Sequence, residues 1–198
     1  MKTYDQSYFD RWYRDPSDRV ATRDSLERKV RLAVSVTEFL IGRRIRTVLD
    51  VGCGEAPWYP VLRKLRRGVR YQGVDSSDYV LRRFGKRRHI RQGTFRGLRD
   101  LRLARPFDLI VCADVLQYVP ERDVAVGLAE IRRLLRGVAF IEAFTTEDAM
   151  EGDRTGWHER PASAYRRLFS RAGLTQCGPN CWLDLERFEN LNVFETAG

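Results

Sequence analysis

Apolar positions along the chain change their period several times, and these changes separate predicted helices from predicted strands. Residues 18–42 carry apolar side chains at helical spacing, and Gly42 follows as a natural stop. Beyond this helix, short apolar runs typical of buried parallel strands alternate with further helical stretches. The predicted strands cover residues 47–51, 69–75, 89–92, 107–112 and 138–144, and the predicted helices begin near Pro57, Ser77, Arg122 and Pro161.

The alternation of strands and helices predicts an α/β fold with a doubly wound, mostly parallel, Rossmann-like sheet. Two more extended segments, near residues 174–184 and 191–196, have no helical stretch between them. They are predicted to form an antiparallel C-terminal pair, which brings the sheet to seven strands. Residues 1–44 are predicted to be a helical N-terminal extension packed on a core of residues 45–198. Residues 1–17 are rich in aromatic side chains and are expected to dock on that core.

Composition excludes several classes of protein. The chain has 198 residues, of which 43% are hydrophobic and 32% charged, so it is predicted to be folded rather than disordered. It lacks the apolar run of about 18 residues that a membrane helix needs. It also lacks a signal peptide, which favours a cytoplasmic location. The four cysteines are interpreted as reduced thiols, and their spacing predicts no metal site.

Positive charge is concentrated in one part of the chain. The whole sequence carries 36 basic and 27 acidic residues, but residues 60–105 hold fifteen basic and three acidic ones, a net of +12. Such a surplus attracts nucleic acid, an acidic carrier or an anionic substrate. Alternatively, these arginines form a solvated helix face, with their stems lying along apolar surface.

Candidate chemistry follows the ends of the predicted strands, where ligands bind in sheets of this kind. Gly52 and Gly54 follow the first strand and allow a tight turn and a close backbone approach to a ligand. Asp75 ends the second strand, where a carboxylate can accept both hydroxyls of a ribose. Thr94 and Phe95 follow the third strand and suit the edge and the face of an adenine. This ordered set predicts a site for a nucleoside cofactor.

The residues around the glycines favour a positively charged cofactor over a dinucleotide. The dinucleotide fingerprint G-x-G-x-x-G requires glycine at the position of Pro57. Glu55 stands at the predicted helix start, where a pyrophosphate would bind, and its carboxylate would oppose that group. Asp50, just before the glycines, agrees with a cationic ligand. NAD-dependent oxidoreduction is the alternative.

Three segments carry a family resemblance: VLDVGCGEA at 48–56, GVDSS at 73–77 and FDLIVCADVLQYVP at 107–120. They resemble the motifs of class I S-adenosylmethionine-dependent methyltransferases, and the resemblance covers about residues 45–175. It implies S-adenosylmethionine as cofactor, with S-adenosylhomocysteine as its product. The cofactor-binding residues that it implies are Asp50, Gly52, Cys53, Gly54, Asp75, Ser76, Thr94, Phe95, Ala113, Asp114 and Gln117.

The predicted reaction is transfer of a methyl group, by in-line displacement, to an oxygen or nitrogen of a small-molecule acceptor. A chain this short has little room for a separate recognition domain. The candidate acceptor-binding residues are Tyr13, Tyr118, Trp157 and His158, and His158 is also the candidate general base. Two alternatives stay open: an RNA methyltransferase that uses the basic 60–105 surface, and a non-catalytic protein that binds S-adenosylmethionine. The sequence predicts no oligomeric state.

Overall fold

The computed structural model describes residues 4–17, 22–103, 106–149, 153–188, 191–192 and 195–196. The strands in these residues are β1 (Thr47–Val51), β2 (Arg70–Asp75), β3 (Ile90–Gln92), β4 (Phe107–Ala113), β5 (Leu135–Glu142), β6 (Thr175–Gly178) and β7 (Cys181–Leu183). They form one sheet of seven strands in the order β3-β2-β1-β4-β5-β7-β6. The first five strands are parallel, whereas β7 runs antiparallel to both β5 and β6. The predicted doubly wound sheet with an antiparallel end is confirmed.

Helices cover both faces of this sheet. They are α1 (Gln6–Phe9), α2 (Arg23–Ile41), α3 (Trp58–Leu65), α4 (Asp78–Arg88), α5 (Glu121–Leu134) and α6 (Ala162–Arg171). The apolar sides of α2, α3 and α4 pack in one core cluster, and those of α5 and α6 pack in the other, on the opposite face. In the described part of the chain, no helix combines the length and apolar character needed to cross a membrane.

The strand order fixes where a ligand can enter. From β1 the chain builds outward through β2 and β3, then returns to place β4 on the other side of β1. Helices after β1 and β4 therefore leave toward opposite faces, which opens a crevice beyond the carboxyl ends of these two strands. Both strands are almost fully buried, which fixes the floor of that crevice.

Two strand predictions are corrected by the structure. Strand β5 begins at Leu135, three residues before the predicted start, because helix α5 runs into it without a connecting loop. The helical spacing placed Leu135 on the apolar stripe of the helix, but its pairing with Phe107 of β4 prevails.

The C-terminal pair also lies elsewhere than predicted. Strands β6 and β7 are both contained in residues 174–184 and are joined by a tight turn at Asn180, whose φ is 55°. The prediction of a strand near 191–196 is wrong for residues 191–192 and 195–196, which are not in a strand. The other two positions of that segment lie outside the described residues.

Residues 4–17 of the N-terminal segment dock over the carboxyl edge of the sheet. Phe9 is buried, with 2% of its surface exposed. The hydroxyl of Ser77 donates a hydrogen bond of 2.5 Å to the backbone carbonyl of Tyr4, and Arg14 forms an ion pair of 2.5 Å with Glu55. The aromatic segment therefore forms a cover over the crevice.

Candidate cofactor and acceptor site

A cavity of about 350 Å³ lies beyond the carboxyl ends of β1, β2 and β4. One wall comes from the strand ends and includes Gly52, Gly54, Asp75, Ser76 and Thr94. The opposite wall comes from the N-terminal segment and presents the rings of Tyr4, Tyr8, Phe9 and Tyr13. The cavity thus lies at the strand ends where the sequence predicted a ligand site. The sequence did not predict that the N-terminal segment covers it.

The turn after β1 keeps its backbone open toward this cavity. Gly52 and Gly54 both adopt left-handed conformations, with φ of 67° and 51°. The amides of Gly52 and Cys53 donate to the carbonyl of Val74 at 2.8 and 3.1 Å, which ties the turn to β2. A Cβ atom on Gly54 would lie 3.1 Å from the ring of Phe9. A side chain at Gly54 would fill space between the turn and its cover.

Asp75 lines the cavity at the carboxyl end of β2. Its Oδ2 accepts a hydrogen bond of 2.7 Å from the amide of Gly54, and its Oδ1 accepts one of 2.9 Å from the amide of Ser77. Burial raises the pKa of Asp75, and these backbone hydrogen bonds oppose the rise. The carboxylate is therefore held rigidly at the cavity wall, where it can accept hydrogen bonds from the hydroxyls of a ribose.

Asp50 lies deeper than Asp75. The hydroxyl of Tyr71 donates to its Oδ2 at 2.6 Å, and burial raises the pKa of Asp50 to about 7. Together with Cys53 and Ala113, Asp50 lines a second, smaller cavity of about 70 Å³ rather than the large one. These three predicted residues therefore line a cavity that shares Gly52, Tyr13 and Asp114 with the first one.

Asp114 connects the two cavities because it lines both. Its backbone is left-handed, with φ of 62°, and its amide donates to the carbonyl of Glu142 at 3.1 Å. Its Oδ1 is closed to solvent and has no hydrogen-bond partner in the described residues. Burial raises the pKa of Asp114 to about 6. The nearby Glu142 adds to the rise, and Lys29, which is ion-paired to Glu142 at 2.7 Å, opposes it.

Of the residues predicted to contact the adenine or close the pocket, some line the cavity and others are buried in the core. Thr94 lines the cavity, but its Oγ1 already accepts a hydrogen bond of 3.0 Å from the amide of Gly97. Phe95 reaches the cavity wall, yet its ring is buried against Gly127 of α5. Gln117 is buried and does not line either cavity. Most of the Phe95 ring therefore serves packing.

The four predicted acceptor residues are not all brought together. Tyr13 and Tyr118 line the large cavity. Trp157 lies behind Tyr118, with ring centroids 6.3 Å apart. His158 is exposed, and it is not among the residues that line the cavity. Its backbone amide donates to the carbonyl of Gln117 at 2.8 Å, which fixes the loop but not the imidazole.

Glu55 has a different role from the one expected. Its carboxylate pairs with Arg14 and accepts a hydrogen bond of 3.1 Å from the hydroxyl of Tyr79. The Arg88 guanidinium donates to the Glu55 carbonyl. Glu55 therefore fastens the N-terminal cover instead of facing a cofactor, and its charge no longer argues against a pyrophosphate.

Comparison with known proteins gives the family. Residues 19–179 match a protein family described as a methyltransferase domain. The chain belongs to this family. It is an S-adenosylmethionine-dependent methyltransferase, so the nicotinamide and non-catalytic alternatives do not hold. A search of the curated proteins finds no significant match.

Solved methyltransferases share the fold of this methyltransferase at low sequence identity. The amino pentose methyltransferase CalS10 from Micromonospora echinaspora, with bound S-adenosylmethionine, superposes with a TM-score of 0.62 at 14% identity, covering 77% of this chain and 86% of that one. The sugar N-methyltransferase KedS8 from Streptoalloteichus sp. gives 0.59 at 18% identity, covering 88% and 92%. Magnesium protoporphyrin IX methyltransferase from Synechocystis PCC 6803, with bound S-adenosylhomocysteine, gives 0.56 at 16% identity and covers 86% of each chain.

The donor atoms of the cavity fit this cofactor. Left-handed glycines leave room beside the backbone, and Asp75 offers a buried carboxylate for ribose hydroxyls. An adenosyl compound suits this arrangement of open backbone and ribose-binding carboxylate.

Proposed function

We propose that this methyltransferase transfers the methyl group to an oxygen or nitrogen atom of a small-molecule acceptor. The observation that carries the proposal is the cover: Tyr4, Tyr8, Phe9 and Tyr13 of the same chain form the wall of the cavity opposite the glycine turn. An acceptor site walled by the N-terminal segment of the same chain suits a compact molecule better than a polymer.

The same cavity holds the cofactor in this proposal. Asp75 accepts the ribose hydroxyls, Ser76 and Thr94 lie beside the base, and the turn from Gly52 to Gly54 lies along the methionine portion. When bound, S-adenosylmethionine supplies an electrophilic methyl group on a positively charged sulfur. The contribution of the protein is then to bind, to orient and to exclude water.

Orientation is the largest contribution expected from this site. Holding the acceptor in line with the transferable methyl group lowers the barrier by roughly 7–11 kcal/mol. The aromatic cover excludes water, which strengthens the interactions of the buried carboxylates with positive charge. A general base adds about 10²–10⁴-fold where the acceptor must lose a proton.

The role of His158 as this general base remains a prediction. Its imidazole is exposed beside the cavity rather than in its wall, so it needs a movement of the loop to reach an acceptor. Asp114 already lies in the wall and has a raised pKa, which favours it as the nearer proton acceptor.

The RNA alternative has less support. Of the described basic residues in 60–105, only Arg96 lines the cavity, and Arg96 is paired with Asp123 at 3.0 Å. Several of these arginines lie on α4, which packs against β2 and β3. A polymer held on α4 would meet few basic side chains of the cavity wall.

A labelling experiment separates the two acceptor classes. The enzyme is incubated with methyl-labelled S-adenosylmethionine and either an ultrafiltered small-molecule extract or total RNA from the same cells. We expect label in small molecules, and its loss when Asp75 is replaced by alanine. Label confined to RNA would overturn the proposed acceptor class.

A further inference from the structure

Negative charge in the large cavity is not balanced by the protein. Four charged side chains of the described residues line it: Asp75, Asp114, Asp123 and Arg96. Arg96 pairs with Asp123, which leaves Asp75 and Asp114 without an ion-pair partner in the described chain. Unpaired carboxylates at a buried wall are costly, and a bound cation relieves that cost.

Asp75 and Asp114 differ in the hydrogen bonds that their carboxylates already accept. Asp75 accepts backbone hydrogen bonds on both oxygens, from Gly54 and Ser77. One oxygen of Asp114 is closed to solvent and has no hydrogen-bond partner in the described residues, the carboxylate has a side-chain hydrogen bond with Gln117, and Lys29 nearby is engaged by Glu142. Asp114 is thus the carboxylate whose charge a bound cation would balance.

Aromatic rings line the same cavity as this carboxylate. Tyr4 lies edge-on to Tyr118, with centroids 6.5 Å apart, and to Tyr8, at 5.0 Å. The ring centroids of Tyr13 and Tyr8 are 6.4 Å apart. Tyr13, like Asp114, lines both cavities. Although 40% of Tyr13 is exposed, the protein atoms around its hydroxyl, followed by the charges of Asp114 and Asp75, raise the pKa of Tyr13, so this ring stays neutral. Neutral ring faces beside a carboxylate form an environment that attracts organic ammonium groups.

We infer that the acceptor of this methyltransferase is an aliphatic amine, bound as its ammonium ion by the carboxylate of Asp114 and by the rings of Tyr4, Tyr13 and Tyr118. The inference rests on the proposed small-molecule function and narrows its acceptor atom from oxygen or nitrogen to nitrogen. A neutral alcohol of the same shape gains neither the ion pair nor the cation–π contact, so the site distinguishes the two.

The proton at the acceptor nitrogen has a defined route. One N–H bond of the ammonium breaks, and its electron pair stays on nitrogen as the lone pair needed for attack. The proton forms an O–H bond to Asp114, which becomes a neutral carboxylic acid and later releases the proton to solvent. Glu142 and Lys29, which flank Asp114 from β5 and α2, keep opposite charges and need not change protonation.

Binding of matched amine and alcohol probes tests the inference without relying on turnover. Cyclohexylamine, 2-phenylethylamine and glucosamine are titrated into the enzyme saturated with S-adenosylhomocysteine, beside cyclohexanol, 2-phenylethanol and glucose. We expect each amine to bind about 10- to 100-fold more tightly than its alcohol. In Asp114→Asn this preference should fall below about threefold. Asparagine tolerates the left-handed backbone of that position, so the variant should fold.

Two further variants sharpen the result. Asp123→Asn removes a carboxylate of the same cavity that Arg96 already neutralises, and it should keep the preference for amines. Tyr118→Leu removes one ring of the proposed site and should weaken amine binding about two- to fivefold.

The outcomes separate this inference from the proposed function. Wild-type enzyme that binds S-adenosylhomocysteine but prefers no amine over its alcohol overturns the amine inference alone. Loss of cofactor affinity in Asp114→Asn with an intact amine preference overturns it too, because the carboxylate then serves the cofactor. Methyl transfer to alcohols but not amines would likewise refute it. Failure of the wild type to bind S-adenosylhomocysteine would refute the proposed function itself.

Discussion

The carboxylate of Asp75 accepts a hydrogen bond of 2.7 Å from the backbone amide of Gly54, 21 residues earlier in the chain. This contact joins the end of β2 to the turn after β1, so the two motifs that indicated a nucleoside site form one structural unit. Because the same carboxylate faces the cavity, its removal affects both the turn and the ligand.

Asp75→Ala should weaken S-adenosylmethionine binding by about 1.5–3 kcal/mol, through the loss of charge-assisted hydrogen bonds. It should also lower the free energy of unfolding by about 1–2 kcal/mol, since the amide of Gly54 loses its partner. Calorimetric titration and urea denaturation measure the two effects. Asp78→Asn, at an exposed acid of α4, is the matched control and should change cofactor affinity little. Unchanged affinity in Asp75→Ala would remove this residue from the site.

Asp50 should make stability depend on pH in the cofactor-free enzyme. The pKa of Asp50 is about 7 in the folded protein, above its ordinary value of 3.8, because the group is buried. The unfolded chain therefore ionises first as pH rises, and the free energy of unfolding should fall between about pH 4 and pH 7. The expected loss is at most about 4 kcal/mol. Asp75 and Cys53 lie close to Asp50, and the raised pKa of Asp75 gives a smaller slope of the same sign.

Variants of the Asp50–Tyr71 pair isolate this effect. Asp50→Asn should reduce the pH dependence of unfolding, measured by urea denaturation from pH 4 to pH 8, and leave the part that the raised pKa values of Asp114 and Asp75 cause. Tyr71→Phe removes the hydrogen bond that holds the pKa of Asp50 down, so the fall in stability should extend to higher pH and become larger in total. An identical slope in Asp50→Asn and wild type would show that other groups cause it.

Gly127→Ala tests whether the ring of Phe95 belongs to the core. A Cβ atom at Gly127 would collide with that ring. Overpacking of this kind costs about 1–3 kcal/mol, which exceeds the gain of up to about 1 kcal/mol from replacing glycine by alanine in a helix. We expect thermal denaturation to show lower stability, with partial recovery in Gly127→Ala/Phe95→Leu. A variant more stable than wild type would mean that the ring lies elsewhere.

The ion pair between Arg14 and Glu55 should hold the N-terminal cover closed. Glu55→Gln weakens it, and trypsin should then cut after Arg11 and Arg14 about two- to fivefold faster. S-adenosylhomocysteine should slow cleavage in the wild type by filling the cavity beneath the cover. Glu27→Gln, which breaks the exposed pair between Arg23 and Glu27 on α2, provides the control. Equal cleavage rates in all three proteins would show that this pair does not fasten the cover.

Local patterns predicted the parallel part of the fold well, because buried strands leave continuous apolar runs. The carboxyl ends of β1 and β2 and the turn between Gly52 and Gly54 lie where their residues indicated. The start of β5 was missed, since Leu135 satisfies a helical period as well as a strand and only its pairing with Phe107 decides.

Contacts between segments far apart in the chain could not be predicted from local sequence patterns. The aromatic residues of the N-terminal segment indicated docking but not where, because the surface that receives Phe9 is built from Gly54 and Tyr79. The pairing of Glu55 with Arg14 joins residues 41 positions apart, and it reverses the role that Glu55 suggested. The exposed position of His158 likewise depends on the loop after β5, whose path no local pattern fixes.

A crystal structure of the enzyme with S-adenosylhomocysteine would show directly whether the cofactor binds in the cavity beside Asp75. We expect the ribose hydroxyls on Asp75, the methionine portion along Gly52 and Gly54, and the rings of Tyr4 and Tyr13 closed over the ligand. A ligand bound elsewhere, or a cavity beside Asp75 that stays filled by protein side chains at saturating ligand, would contradict it.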